Sequence, residues 1–595
     1  MKLKKLPFAL FTALSAFTLL VGCAGEDGEN GTDGTNTATQ IISLSEQGRY
    51  ESGVFDESAA EIVTYDETTQ QTFVVNANSG QIDVLDSSDI TNPTLNVSLD
   101  LAQDLADNAV VADASDVGAA NSVTTFNGLM AVAVEADTKT DAGWVLFYKT
   151  ADLSFVSSVE VGALPDMVTF TPDGSQVVVA CEAEPTEGTY DIDPEGTVSV
   201  IDVTWDGTDL TTAATSIGFT DFNAGEARNA ELPENLLLNG YQASVAEDLE
   251  PEYITVSEDS STAFIGLQEN NAVVEIDLAA KTVTSISALG FKDHSIPGNE
   301  LDGNNKDDQV AIKTEPAFGM YMPDSIASMT YNGKTYLLTA NEGDDRDDWI
   351  EGLSQTNCEA SNFYWNIEDA VCGDSITMKD ALDSDVYEPA DPSTKLDFSN
   401  FDGGVLDSAV KRVKFSHSMT KQFGDIDDDG AIDKMLTYGA RSFSIWDTEN
   451  NTLVFDSGSD FERITAQRYG ANFNNDNAEN AAEDRSDNKG PEPEALTVGK
   501  INGHTYAFIG LERMGGIMVY DVSNPNNPDF VEYINNRDVT VDNDTLEAGG
   551  AGDLGPEGFK FVDADNSPSG KPMLIVGSEV SGTTTFYNIE INLLD

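Results

Sequence analysis

Eight carboxylates of this chain recur in one local setting. Asp166 and Glu182, Asp324 and Glu342, Glu494 and Glu512, and Glu557 and Glu579 each bracket a short apolar hairpin whose turn centres on Gly174, Gly333, Gly503 or Pro568. Antiparallel pairing sets the first residue of one strand opposite the last residue of its partner. Counting outward from each turn therefore predicts that the two acids of a hairpin lie side by side at its open end; a fifth copy pairs Glu252 with Gln268. Like charges held so close push their pKa values up and cost stability unless something cationic lies between them. Donors made only of carboxylate oxygen suit Ca²⁺ first and Mg²⁺ next, so these eight residues are the expected ligands of Ca²⁺ or of another divalent metal. The plainer alternative is a set of solvated acids at strand ends, common in a chain this acidic.

A second metal signal is local. In "DIDDDGAID", Asp425, Asp427, Asp429, Gly430 and Asp433 occupy positions 1, 3, 5, 6 and 9 of an EF-hand-like loop, with glycine where such a loop turns sharply. Position 12 is Leu436 rather than the usual bidentate Glu, and no flanking helices are evident. The expectation is a structural Ca²⁺ in a turn. Cations are scarce, so their places are informative: Arg346 follows Glu342, Arg485 and Lys489 precede Glu494, Arg513 follows Glu512, and Arg441 lies in the equivalent hairpin of the Gly424 stretch. Guanidinium grips phosphate and carboxylate bidentately, which makes Arg346, Arg485 and Arg513 candidates for a catalytic role beside metal-activated water. Ion pairing that merely offsets the crowded acids uses the same residues. The three histidines, His294, His417 and His504, lie in no HExxH motif, and there is no nucleophile elbow, P-loop or CxxC pair. Ser-His hydrolase and zinc-protease chemistry thus lack their parts.

The elements that must hold these side chains are short strands. Helical periodicity is nearly absent after residue 40, whereas apolar runs bounded by Asp-Gly, Asn-Gly or Asp-Glu turns recur, a pattern that reads as all-β. Hairpins begin at Pro165, Pro251, Pro323, Pro493 and Pro556, with weaker copies from Ala60, Asn121 and Gly424, eight in all. Several run on into a third strand, as in "GTVSVIDV" to Val203 and "GGIMVYDV" to Val522. Repeated small sheets that bury their faces only against one another predict a β-propeller. Eight blades are expected, or seven, because an insertion over about residues 344–421 separates the Pro323 hairpin from any third strand. A decorated β-sandwich is the rival, but it does not explain why one hairpin recurs with the same polar ends. With the first strands innermost, the acids would ring one mouth of a central channel.

Composition narrows the partners. Among 595 residues, 105 Asp and Glu stand against 30 Lys and Arg, a formal charge of -75, while 40% of residues are apolar and suffice for a core. Such a surface repels nucleic acid and anionic headgroups. Lys2, Lys4 and Lys5 precede an apolar run from Leu6 to Val21 and then Cys23, the form of a signal peptide rather than a spanning helix. "LVGC" resembles the bacterial lipobox, which implies cleavage after residue 22 and acylation of Cys23, with Ala24 favouring the outer membrane. Residues 23–40 read as a flexible acidic tether and residues 41–595 as the propeller. Cys358 and Cys372, close in sequence and exported, are expected to form a disulfide that staples a long loop. Cys181 in "VVVACEAE" is expected to be a buried free thiol.

The stretches "LPDMVTFTPDGSQVVVACEAEP", "FGMYMPDSIASMTYNGKTYLLTANEGDDRDD", "DRSDNKGPEPEALTVG" and "GPEGFKFVDADNSPSGKPMLIVGSEVSGTTTFYNI" resemble the choice-of-anchor I family over nearly everything past residue 40. That group is similar to mesenchyme-specific cell-surface glycoproteins and carries YVTN- or WD40-like propeller repeats. The resemblance implies an exported protein held at the cell surface, here by a lipid at Cys23. Relatives more often have Asn where this chain has Cys181, so no ligand role is carried over to that position. Some relatives bear an alkaline-phosphatase label, but the family implies no established reaction. Two readings follow. One is a lipid-anchored, Ca²⁺-stabilised extracytoplasmic propeller that binds an extracellular ligand or protein at an acidic mouth. The alternative is a metal-dependent phosphoesterase built on the carboxylate ring.

Overall fold

The computed structural model describes residues 40–307, 309–383 and 411–593. The expected signal peptide, Cys23 and the tether up to residue 39 lie outside these residues, as does the stretch 384–410 of the expected insertion. Gln40, expected to end the tether, already belongs to the strand Gln40–Glu51.

Among the described residues, seven four-stranded antiparallel sheets form blades. In chain order, blades 1 to 7 start with the strands Val63–Asp66, Val117–Phe126, Pro165–Phe170, Ile254–Val256, Ile326–Tyr331, Pro493–Ile501 and Pro556–Val562. Each of these first strands touches the next, and the last touches the first, so they form a closed circle about an axis. Blade 7 is completed by the chain's other end: Gln40–Glu51 pairs antiparallel with Thr583–Leu593, from Gln40 opposite Leu593 to Glu51 opposite Thr583. The ring is thereby fastened by backbone hydrogen bonds between the two ends of the domain.

Burial explains the strand sequences. Second strands such as Gln176–Cys181 and Met573–Ser578 are flanked within their blade and covered on both faces, which demands unbroken apolar runs rather than alternation. Outer strands such as Leu210–Gly218 are largely exposed and correspondingly polar. The core is not one mass. It consists of a separate apolar cluster at each blade boundary, for example Val132 and Phe73 between blades 1 and 2, Val200 and Ile265 between 3 and 4, and Phe443 and Ile509 between 5 and 6. Burying such side chains contributes about 1.5–3 kcal/mol apiece. A blade therefore holds only by its neighbours, which is the physics that closes the circle.

The eighth expected hairpin is not a blade. Of the stretch from Gly424, Met435–Thr437 joins a five-stranded sheet with Ala317–Met320 and Lys414–Ser416, while Ser442–Asp447 is the third strand of blade 5, with Ser442 opposite Asn341. A left-handed residue, Arg441 at φ 55°, separates the two, and the apolar face of Phe443 and Ile445 belongs to the boundary with blade 6. The interruption in blade 5 accordingly runs over residues 342–441, longer than expected. It contains the short helices Asp347–Ile350 and Gln355–Ala360 and the hairpin of Tyr364–Asn366 with Val371–Gly373. Cys358 and Cys372 are disulfide-bonded there, and Cys181 is a buried free cysteine. This insertion packs Ile350, Leu353 and Phe363 against Tyr190 and Tyr241 from the loops of blades 3 and 4.

A candidate cation site in the central channel

One backbone device recurs where the blades meet the channel. Leu164, Met322, Glu492 and Gly555 have φ of 44°, 42°, 52° and 66°, and each immediately precedes a proline, Pro165, Pro323, Pro493 or Pro556. Left-handed geometry costs a non-glycine residue about 1–3 kcal/mol and persists only where the surroundings impose it. Here the imposing contacts are visible: the carbonyls of Leu164, Glu492 and Gly555 accept the N–H groups of Glu182, Glu512 and Glu579 at 2.8–2.9 Å, and that of Met322 accepts from Gly343 at 3.0 Å. In three of the four copies the ladder then slips between Pro165 and Val168, Pro493 and Leu496, and Pro556 and Gly558.

These bulges change the expected pairing. Glu182 lies opposite Leu164, Glu512 opposite Glu492 and Glu579 opposite Gly555, not opposite Asp166, Glu494 and Glu557. Simple counting fails because the extra residue, released from the ladder, is the one that carries the acid. The result is a ring with one polar residue per blade at equivalent positions, Glu61, Asn121, Asp166, Glu252, Asp324, Glu494 and Glu557. Glu61, Asn121, Asp166, Asp324 and Glu557 line a cavity of about 220 Å³, and Asp324, Glu494, Glu342, Glu512 and Glu579 line a second of about 520 Å³, with Asp324 shared. Glu61 escaped sequence reasoning although "EIVTY" matches "DMVTF" and "EALTV" residue for residue; the missing proline hid it. Blade 7 meets Glu61 closely, since Cβ atoms placed on Gly558 and Gly577 would fall 2.3 and 2.1 Å from its carbonyl oxygen.

The structure brings the acids together across blades more than within hairpins. Asp324, Glu342 and Glu494 offer oxygens within 4.8 Å of one another, as do Glu61, Glu557 and Glu579. Glu342, Glu492 and Glu512 form a third group, and Glu182 joins Glu252 and Glu269 in a fourth. Two of the expected pairs, Asp324 with Glu342 and Glu557 with Glu579, thus share a group, whereas Asp166 with Glu182 and Glu494 with Glu512 do not.

Protein cations balance only part of this charge. Lys489 Nζ lies 2.6 Å from Glu342 Oε1, Gln268 donates to Glu342 Oε2 at 3.1 Å, and Arg485 and Arg513 reach Glu492 at 2.8 and 3.2 Å. Against burial, which acts upward, Arg485, Lys489 and Arg513 hold the Glu492 carboxyl down at about 2. Glu512 accepts from Asn477 at 2.8 Å and forms an ion pair with Arg513 at 3.0 Å. Arg485 is therefore engaged with Glu492, while Arg513, with 27% of its side chain exposed, also lines the larger cavity with Lys489. Arg346 is buried elsewhere, between Asp248 at 2.7 Å and Glu250, and Arg441 is buried against Glu462 at 2.5 Å.

The rest of the ring has no such company. Glu494 Oε2 and Glu557 Oε2 are buried and accept no hydrogen bond. Burial first, and neighbouring carboxylates second, push Asp324, Glu494 and Glu557 well above the usual carboxylate range. Burial likewise drives Glu61 to about 8 and Asp166 to about 7. Such groups either retain protons or gather a cation. Oxygens this close fit around one hard divalent ion, because opposite ligands of Ca²⁺ at 2.3–2.6 Å stand about 4.6–5.2 Å apart.

In the Asp-rich loop, Asp425, Asp427 and Asp433 group within 4.8 Å, while Asp429 turns to accept the N–H of Ala431 at 2.8 Å. Gly430, at φ 86°, donates to Asp425 at 2.8 Å and closes the turn. His294 is buried, with Nδ1 2.7 Å from the Asn299 carbonyl oxygen, and burial pushes it down to about 3, which makes it a packing residue.

Gigasin-3a of Magallana gigas is 31% identical over 169 residues, covering 27% of this chain and 60% of that protein. Mesenchyme-specific cell surface glycoprotein of Strongylocentrotus purpuratus is 24% identical over 305 residues, 48% of this chain and 36% of that protein. The chain thus spans less than two thirds of either relative. Among solved structures, hydrazine synthase of Kuenenia stuttgartiensis shares 12% identity at a TM-score of 0.38, covering 92% of this chain and 99% of that one. The WD40 domain of Toxoplasma gondii coronin shares 8% at 0.39, covering 94% and 88%. Those two are too distant to bear on the site. The choice-of-anchor I domain model matches residues 61–525, from Glu61 past Glu512 and over most of the blades, and the chain belongs to the choice-of-anchor I family.

Proposed function

We propose that this chain is a surface-held extracytoplasmic β-propeller that binds divalent cations, Ca²⁺ first, along its central channel and presents the loaded mouth to an extracellular ligand or protein. The observation that carries this reading is the convergence of five carboxylates from five blades, Glu61, Asp166, Asp324, Glu494 and Glu557, on one channel, two of them with buried oxygens that accept no hydrogen bond. No Lys or Arg among the described residues pairs with Asp324, Glu494 or Glu557. Ca²⁺ held by Asp425, Asp427 and Asp433 would stabilise the insertion of blade 5. Attachment through an acylated Cys23 in the outer membrane is part of the proposal, in keeping with a relative named as a cell surface glycoprotein. A formal charge of -75 speaks against nucleic acid as the partner.

The test is thermal unfolding of chelator-treated protein with Ca²⁺ added back. Ca²⁺ at 100 times its Kd adds about 2.7 kcal/mol per site, so a rise in midpoint that is lost in Glu494→Gln/Glu557→Gln supports the channel site. An equal rise in both proteins refutes it.

A second reading is favoured by one observation: Lys489 and Arg513 face the same cavity as Asp324 and Glu494. Cationic side chains beside a metal group are the parts a metal-dependent phosphoesterase needs to clamp phosphate. Hydrolysis of p-nitrophenyl phosphate that disappears in chelator and in Glu494→Gln would establish that activity. Intact fold without turnover would leave the binding role alone.

A further inference from the structure

A group of three carboxylates where blades 3 and 4 meet has no assigned role. Glu182 follows the second strand of blade 3, Gln176–Cys181, while Glu252 precedes the first strand of blade 4 and Glu269 follows its second, Thr262–Leu267. Oxygens of the three lie within 4.8 Å of one another. The frame around them is rigid. The N–H groups of Glu182 and Glu252 donate to the carbonyls of Leu164 at 2.9 Å and Gly266 at 3.1 Å. The turn that carries Glu269 is pinned by the fully buried Asn270, whose amide donates to the carbonyls of Leu237 and Asp248, both at 2.9 Å.

Glu269 is 7% exposed, yet its Oε2 accepts no hydrogen bond. No Lys or Arg among the described residues forms an ion pair with any of the three. Arg346, whose charge acts on Glu269, is spent on Asp248 and Glu250, and Lys139, whose charge is felt by Glu182, is paired with Glu184 at 3.6 Å. An orphaned carboxylate oxygen in a buried, fixed frame is costly, and something must offset that cost. We infer that Glu182, Glu252 and Glu269 hold a structural divalent cation, Ca²⁺ by the chemistry of its donors, that cross-links blade 3 to blade 4 independently of the channel. An all-carboxylate donor set suits a hard divalent ion, and Ca²⁺ ahead of Mg²⁺, because Mg²⁺ demands near-ideal octahedral geometry and is seldom held by an all-protein cage. The competing arrangement is a proton shared among the carboxyls. Burial pushes all three upward, reinforced by neighbouring carboxylates for Glu182 and Glu252 and opposed for Glu269 by Arg346 and by a hydrogen bond with Glu252, so both arrangements meet the same electrostatic need; ion counting separates them.

The experiment uses mature full-length protein stripped with chelator, dialysed against Ca²⁺ and counted by inductively coupled plasma mass spectrometry, together with thermal unfolding. Glu269→Gln is expected to bind one Ca²⁺ fewer per chain than wild type. Its unfolding midpoint should cross that of wild type, higher in chelator, where a repelling charge has been removed, and lower in saturating Ca²⁺, where a ligand has been lost. Glu494→Gln should keep this ion, which separates this group from the channel. Glu182→Gln, on the neighbouring blade, must repeat the Glu269→Gln result and serves in its place if that variant does not fold. Equal ion counts with midpoints that shift the same way in both buffers would overturn the cation and establish the shared proton.

Discussion

Arg346 puts the electrostatic reasoning at risk in a single substitution. It is 4% exposed and clamps Asp248, also 4% exposed, and Glu250, 1% exposed, so that the insertion of blade 5 is held to the loop ahead of blade 4. Its guanidinium donates to Asp248 Oδ1 at 2.7 Å and to the Asp248 carbonyl at 3.1 Å, besides Glu250. Arg346→Met keeps most of the apolar stem and removes the charge. Deleting one member of a buried ion pair costs about 3–5 kcal/mol because the other is left without compensation. Two abandoned carboxylates would exceed that if both stayed ionised. Glu250 need not, since burial outweighs the opposing pull of Arg346 and already pushes its carboxyl well above the usual range. It would take up a proton and keep the loss near about 3–5 kcal/mol at neutral pH.

Urea unfolding followed by tryptophan emission is the assay, because Trp349 stacks on Arg346 at 5.5 Å and reports locally. The sign of the pH dependence follows from linkage. A carboxyl whose folded pKa is raised contributes stability that is fully present below its unfolded pKa and lost as pH rises through the folded value. The deficit of Arg346→Met must therefore shrink on going from about pH 8 to about pH 5.5. A loss under about 1 kcal/mol, typical of an exposed pair, or a deficit that grows toward acid, would refute the assignment of Arg346 as a buried clamp.

Three further outcomes are expected. Chelator-treated protein should be more stable at about pH 5 than at about pH 8.5, because folded Glu61 and Asp166 keep protons to about 8 and about 7 while unfolded carboxyls ionise near 4; a thermal midpoint that rises with pH would contradict this. Gly577→Ala, whose Cβ would fall 2.1 Å from the Glu61 carbonyl oxygen, should cost about 1–3 kcal/mol by overpacking the boundary of blades 7 and 1; an unchanged urea midpoint would deny the close approach. Asp427→Asn should lose one bound Ca²⁺ per chain by calorimetry and lower the thermal midpoint only when Ca²⁺ is present; the same heat of binding as wild type would remove that loop from the metal sites.

Much of the fold could be read from the chain because each blade repeats a local rule. An acid, four alternating residues, a Gly or Asn turn and an unbroken apolar run mark "DMVTFTPDGSQVVVAC" and "EALTVGKINGHTYAFIGL" alike, and the same rule fits the short-range hydrogen bonds of a hairpin. It failed at Gly424, where "DKMLTYGARSFSIWD" has a hairpin's pattern but divides between two sheets; only the pairing of Ser442 with Asn341 a hundred positions away reveals that. The acids were visible, but their companions were not. Glu269 and Glu252 meet Glu182 across a blade boundary, and the bulges that free Asp166 and Glu494 depend on left-handed Leu164 and Glu492, whose strain no residue type announces. The scarcity of arginines also misled: Arg346, expected near the other mouth cations, turned instead toward Asp248 and Glu250 because a buried guanidinium seeks two carboxylates.

The decisive measurement is anomalous diffraction at long wavelength from crystals of protein purified and grown in Ca²⁺ without chelator. The account predicts peaks in the channel between Asp324, Glu342 and Glu494 and between Glu61, Glu557 and Glu579, at about 2.3–2.6 Å from their oxygens. A channel that shows only water between those six side chains in saturating Ca²⁺ would contradict it.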